Sequence, residues 1–214
     1  MQQTTQGFLQ HILQNKIVAI VRGIAPAEVL KIAHALHEGG VTTMEVTLNS
    51  DDALSVIKEL CDVMQDKMLI GAGTVLGADM AHKSIDAGAR FIISPVIDEE
   101  TIRATKERGV ISIPGAFTPT EIYKAFMLGA DIIKVFPASS NVSYIKEVRA
   151  PLPHIPLMPT GGITLQNIQE FKKAGAIAFG IGGSLVDAKR TVTNEYLKRV
   201  TDTAQQFIRL VNEE

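Results

Sequence analysis

A chain of 214 residues, 46% hydrophobic and 21% charged, has the profile of an ordinary globular protein and is long enough to bury a large single core. Its formal net charge of −2, with acids and bases interspersed, excludes the basic stripe that a nucleic-acid partner or an anionic membrane surface requires. A single cysteine rules out a disulfide framework within the chain, and no apolar run approaches the ~20 residues of a membrane span, so the expectation is a cytoplasmic protein.

Residues 1–15 are polar, lack the basic head and apolar run of a signal peptide, and read as a short N-terminal extension. From there, short β-branched runs alternate with segments of helical period. Residues 17–21 form the first expected strand and 25–38 the helix after it, with Val29, Ile32, Ala33 and Leu36 on one face and Gly39-Gly40 as its stop. A second strand over 43–48 leads to a helix over 51–64, with Ser50 or Asp51 available as its cap. Cys61 on that helix reads as a small buried apolar residue. Strands follow at 68–75, 90–94 and 110–113, separated by helices over 78–87 and 99–108. A helix over 119–128 leads to a sixth strand over 131–136, a short helix over 142–149 and a seventh strand over 157–160. A helix over 165–174, an eighth strand over 176–181 and a long helix over 193–211 complete the pattern.

Eight strand–helix units without a change of composition point to an α/β protein with a parallel sheet, in a single domain spanning 1–214. An open doubly wound sheet and a (β/α)8 TIM barrel both fit; the count of eight favours the barrel.

In a parallel barrel, chemistry gathers at the C-terminal ends of the strands and in the loops that follow. Lys134 interrupts the apolar run Ile132-Ile133-Lys134-Val135-Phe136, and strand alternation puts it on one face with Ile132 and Phe136. Both faces of a barrel strand are covered, so an ammonium is buried either way. Desolvation lowers the pKa of such a lysine and yields the neutral amine that attacks a ketone to form a Schiff base. A lysine snorkelling from a strand end is the bland alternative. Glu45 shares a face with Thr43 and Thr47 on the second strand, from which it can approach Lys134 and shuttle protons. A structural ion pair between the two is the competing reading.

Thr160-Gly161-Gly162 and Gly182-Gly183-Ser184, at the ends of the last two strands, place bare backbone amides next to helix starts, as a phosphate cradle requires. Tight turns needing positive φ would also explain them. The Gly71-Ala72-Gly73-Thr74 phrase lacks the third glycine and the helix phase of a dinucleotide site. The five histidines are scattered, so neither a metal nor any other cofactor is expected.

Several phrases together resemble one family: Gly39-Gly40-Val41 leading to Glu45-Val46-Thr47-Leu48, Gly71-Ala72-Gly73-Thr74-Val75, Ile93-Ser94-Pro95, Ile113-Pro114-Gly115, Lys134-Val135-Phe136-Pro137 and Pro159-Thr160-Gly161-Gly162-Ile163. The chain is similar, over nearly its whole length, to the 2-keto-3-deoxy-6-phosphogluconate (KDPG) and 4-hydroxy-2-oxoglutarate (KHG) aldolases and their phosphogalactonate-cleaving relatives. That resemblance implies a (β/α)8 barrel, a homotrimer, and a class I aldolase that releases pyruvate and D-glyceraldehyde 3-phosphate from a phosphorylated keto acid. It implies Lys134 as the Schiff-base residue and Glu45 as acid/base. Arg22 and Thr74 would hold the substrate carboxylate. Thr160 would contact the C4 oxygen, and Gly161, Gly162, Gly183 and Ser184 would hold the distal phosphate. Asn49 stands where many phosphogluconate-cleaving members carry arginine, which leaves the carboxylate to Arg22. The phrases Arg22-Gly23-Ile24 and Leu48-Asn49-Ser50 match the galactonate branch and Thr160 the gluconate branch, so the C4 preference stays open, as does cleavage of 4-hydroxy-2-oxoglutarate. The alternatives are another phosphate-binding barrel enzyme, such as an epimerase or thiamin-phosphate-synthase-like transferase, and a non-catalytic sugar-phosphate sensor.

Overall fold

The computed structural model describes residues 4–138 and 141–213; residues 1–3 and 214 of the expected single domain lie outside the described residues. The first half of the chain runs α1 (Thr5–Asn15), β1 (Ile17–Val21), α2 (Pro26–Glu38), β2 (Thr43–Thr47), α3 (Ala53–Met64), β3 (Leu69–Gly73), α4 (Ala78–Asp86), β4 (Phe91–Ile93) and α5 (Glu99–Glu107). The second half runs β5 (Ile111–Ile113), β6 (Gly115–Ala116), α6 (Pro119–Met127), β7 (Ile133–Val135), α7 (Val142–Arg149), β8 (Leu157–Pro159), α8 (Ile168–Lys173), β9 (Phe179–Ile181) and α9 (Asn194–Asn212).

The strands form two curled parallel sheets, ordered β5-β4-β3-β2-β1-β9 and β6-β7-β8. β1 lies between β2 and β9, so the first strand neighbours the last. The expected fifth strand is β5, and beyond Pro114, which has no N–H to give a ladder, the chain continues as the short β6. β5 pairs with β4 and β6 with β7. Backbone bonds nevertheless cross the break: the N–H of Asp131 donates to Ser112 O and that of Lys134 to Pro114 O, both at 2.9 Å. The Asp131 carboxylate reinforces this seam, accepting the Ser112 N–H at 2.8 Å and pairing with Lys106 at 2.6 Å. At the other seam Thr160 and Gly180 form a parallel bridge, and Ile177 N–H donates to Leu157 O at 3.0 Å.

Alternation along each strand divides the side chains between two cores. Ala19, Met44, Ile70, Ile133, Leu157 and Phe179 join the large core beneath the helices. On the opposite, concave face Val18, Leu69, Phe91, Ile111, Ile132 and Met158 form a second apolar cluster. That cluster is sealed by α1 through Ile12, which is fully buried, and the partly buried Phe8, Leu9 and Leu13. The N-terminal extension is therefore a packed helix. Thr4 caps it by accepting the Gly7 N–H, and Lys16, at φ 63°, ends it. On β2 the same concave face carries Thr43 at the start of the strand, then Glu45 and Thr47 further along it, all fully buried.

Three local expectations change. The residue before α3 is Asp52, with no capping side-chain bond, because the Ser50 hydroxyl instead accepts the Gly23 N–H at 2.9 Å. The helix expected from 165 begins at Ile168, because the Asn167 carboxamide accepts the Thr164 N–H at 2.8 Å and folds the preceding residues into a turn. Cys61 is only partly buried, with its thiol pushed up to about 11 chiefly by burial.

Candidate active site

Lys134 lies in the middle of β7 and is 3% exposed, its ammonium 5.0 Å from the centre of the Phe136 ring. Glu45, from the middle of β2, is fully buried, and neither carboxyl oxygen has a hydrogen-bond partner among the described residues. Its carboxyl leans over Gly73 on the neighbouring strand; a Cβ at that glycine would lie 2.4 Å from Glu45 Oε1. Gly73 thus belongs to the site by making room for the acid. The two side chains do not form the hydrogen-bonded ion pair that was the alternative reading.

Their electrostatics run in opposite senses toward the same result. Burial pushes the Glu45 carboxyl up, while the charges of Lys134 and Arg22 pull it down. Burial pushes the Lys134 ammonium down, Glu45 pulls it up, and Arg22 pushes it down further. Desolvation is the largest influence on each, so both groups shift toward their neutral forms. A neutral amine is a nucleophile, and a protonated carboxyl can give up its proton. Such opposed titratable groups mark functional sites more often than structural ones.

Arg22 follows β1 directly and is exposed. Its guanidinium reaches Thr74 Oγ1 at 3.4 Å, a long contact that leaves donors to spare. The turn carrying Arg22 is tied to β2 through Ser50, which meets both the Gly23 N–H and, at 3.1 Å, the Thr47 hydroxyl. Thr74 adopts φ 56°, a left-handed conformation that costs a β-branched residue about 1–3 kcal/mol and is found preferentially at functional sites.

The two glycine phrases come together across the ends of β8 and β9. The Ser184 hydroxyl donates to Ile163 O at 2.6 Å and joins the two loops. Asn167 steadies the first loop by donating to Gly162 O at 2.8 Å. Gly161 and Gly162 have φ of 90° and 74°, which only glycine adopts cheaply. Gly183 has no such need, and a Cβ there would meet nothing within 4 Å. Thr160 is nearly buried and faces Gly180, where a Cβ would lie 2.3 Å from the Thr160 hydroxyl oxygen.

A cavity of about 520 Å³, ample for a small ligand, opens here. Its wall includes Arg22, Lys134 and Thr160, together with Gly161, Gly162, Gly183 and Ser184. Seven of the nine expected site residues therefore line one cavity. Glu45, beneath the surface, and Thr74, beside Arg22, do not reach its wall. Sequence reasoning missed Asp187 and Lys189, which line the same cavity from the loop after β9. Their place just after the eighth strand was the available signal. It also missed Asn167, legible as a turn residue three positions after Thr164. Among the described residues no three His, Cys, Asp or Glu side chains converge on a metal-sized site, and no helix is long and apolar enough to cross a membrane.

The family profile for KDPG and KHG aldolases matches residues 9–203. A probable 2-dehydro-3-deoxy-6-phosphogalactonate aldolase of Rhizobium meliloti is 36% identical over 175 residues, covering 81% of this chain and 82% of that protein. The 2-dehydro-3-deoxy-6-phosphogalactonate aldolase of Escherichia coli is 34% identical over 199 residues, 92% of this chain and 95% of its own length. Among solved structures, KDPG aldolase from Legionella pneumophila, with pyruvate captured at low pH as a covalent carbinolamine, superposes with a TM-score of 0.83 at 26% identity, covering 96% of this chain and 98% of that one. With a profile match across nine-tenths of its length and relatives at this identity, the chain belongs to the KDPG and KHG aldolase family.

Proposed function

We propose that the protein is a class I aldolase that cleaves 2-dehydro-3-deoxy-6-phosphogluconate, or its galactonate epimer, to pyruvate and D-glyceraldehyde 3-phosphate. The observation that carries this reading is the buried Lys134, shifted toward the neutral amine at the floor of a cavity whose other end is built from two glycine turns. The amine adds to the substrate ketone, and loss of water from the carbinolamine leaves a protonated imine. Glu45, acting through water, takes the C4 hydroxyl proton, and the aldehyde forms as the C3–C4 bond breaks. The bonding pair passes into the imine to give an enamine, and glyceraldehyde 3-phosphate departs. Glu45, acting through water, supplies the proton that converts the enamine back to an imine, and hydrolysis frees pyruvate and regenerates Lys134. In this scheme Arg22 and Thr74 hold the carboxylate and Thr160 the C4 oxygen. Gly161, Gly162, Gly183 and Ser184 hold the phosphate.

The proposal includes the architecture. The two sheets are read as one closed (β/α)8 barrel in a single domain, supported by backbone bonds across both seams and by the pairing of β1 with β9. The homotrimer is a proposal supported by the exposed apolar side chains Val96, Phe117, Tyr123 and Met127, which cluster in sequence around β4 to α6. The single cysteine and mixed surface charge support a cytoplasmic setting.

Borohydride reduction in the presence of pyruvate, followed by peptide mass spectrometry, tests the chemistry. A pyruvate adduct on Lys134, absent from Lys134→Ala, is expected, and turnover assays with the two C4 epimers then assign the substrate. A folded protein that forms no adduct would favour a phosphate-binding enzyme of another kind or a sugar-phosphate sensor.

A further inference from the structure

The two ends of the active-site cavity differ in charge. One end carries the Arg22 guanidinium and the Lys134 amine. At the far end, beyond Thr160 with its expected contact to the C4 oxygen, the expected phosphate ligands are all neutral: the backbone of Gly161, Gly162 and Gly183 and the hydroxyl of Ser184. The Ser184 proton is already given to Ile163 O, and that of Thr160 points to Met158 O at 3.4 Å. A phosphate monoester carries close to two negative charges at neutral pH. Two charged side chains border this end of the cavity, Asp187 and Lys189.

Asp187 is tied down. One carboxylate oxygen accepts the Lys189 N–H at 3.0 Å, and the other lies 3.5 Å from Arg190 Nε. Its backbone is clamped to α9 by the nearly buried Tyr196: the Asp187 N–H donates to the phenol oxygen at 2.7 Å, and the phenol donates back to Asp187 O at 3.1 Å. The acid that would repel a phosphate is thereby partly neutralised, and the turn that carries Lys189 is held in place. The Lys189 ammonium itself meets no carboxylate among the described residues.

From this arrangement we infer that Lys189 is the phosphate-recognition cation of this enzyme, a specificity-determining residue that favours phosphorylated over unphosphorylated keto acids. The inference rests on the aldolase reading above. Lysine acts here as a point charge on a flexible stem, complementing the directional but neutral donors of the glycine turns. Because the side chain is exposed, its contribution is screened by water and salt, and a moderate effect follows.

The test compares wild type, Lys189→Gln and Lys189→Arg on the phosphorylated substrate and its dephosphorylated counterpart. In Lys189→Gln the preference for the phosphorylated substrate, as a ratio of kcat/KM values, should fall about tenfold, mainly through KM. Lys189→Arg should restore most of it, and raising the salt concentration should erode the wild-type preference more than that of Lys189→Gln. An unchanged ratio, or an equal loss on both substrates, would overturn the assignment. Pyruvate trapping on Lys134 in the same proteins keeps the two readings separable. Normal trapping with an unchanged ratio removes only the role of Lys189, whereas no trapping in wild type removes the aldolase reading beneath it.

Discussion

Replacing Glu45 by glutamine keeps the volume of the side chain and removes its charge, which isolates the electrostatic coupling in the buried pair. Lys134 feels one influence that raises its pKa, the Glu45 charge, and two that lower it, burial and Arg22. The substitution deletes the only opposing influence, so Lys134 must titrate at more acidic pH. The carboxylate makes no hydrogen bond to the ammonium. Two unit charges at 4 Å in a medium of effective dielectric constant 20 interact by about 4 kcal/mol, which is therefore a ceiling on the coupling. The assay is the pH dependence of borohydride-trapped pyruvate adduct, read as intact protein mass. The midpoint should move toward acid in Glu45→Gln while kcat for cleavage falls about 10²- to 10⁴-fold, the usual worth of a general acid/base. A midpoint that stays put or moves toward alkali would refute the coupling, and turnover within a few-fold of wild type would refute the acid/base role.

Other consequences are equally open to measurement. Gly73→Ala pushes a Cβ to within 2.4 Å of Glu45 Oε1, so the carboxyl must move; kcat should drop at least tenfold, with a stability loss of about 1–3 kcal/mol in urea titration. Ile12→Ala opens a hole between α1 and the lower concave core, and should cost about 2–5 kcal/mol of unfolding free energy without altering KM in the remaining folded protein. A third measurement concerns pH and stability. Glu45 has a native pKa above the ordinary carboxylate range, so as pH rises the unfolded chain releases this proton first and the native state holds more protons. Its contribution is present at low pH and lost as pH climbs through the native value. The Tm advantage of Glu45→Gln over wild type should therefore grow with pH across that interval, and an advantage that shrinks would contradict the direction of the shift.

Much of this protein is determined by local sequence. Repeated changes between a period of 2 and a period of 3.6 delimit most of the strands and helices, because alternation and helical spacing are properties of neighbours in the chain. The same alternation put Lys134 and Glu45 on the face opposite Ile133 and Met44, and the glycine pairs after the last two expected strands were visible as turns. Other features were decided only by tertiary structure. α1 looks like a polar lead until Ile12 and its apolar neighbours find the lower core that Val18, Phe91 and Ile132 assemble from distant strands. Pro114 lies between β5 and β6, which join different sheets, and the Asp131 carboxylate, from another part of the chain, stitches the break. Gly73 acquires its meaning only beneath the Glu45 carboxyl, and Lys189 only where Tyr196 on α9 anchors its turn beside the cradle. Periodicity reports which way a side chain points, but the groups it meets depend on the register between strands and the packing of elements far apart in the chain. Burial by those distant elements is also what moves both Lys134 and Glu45 toward neutrality.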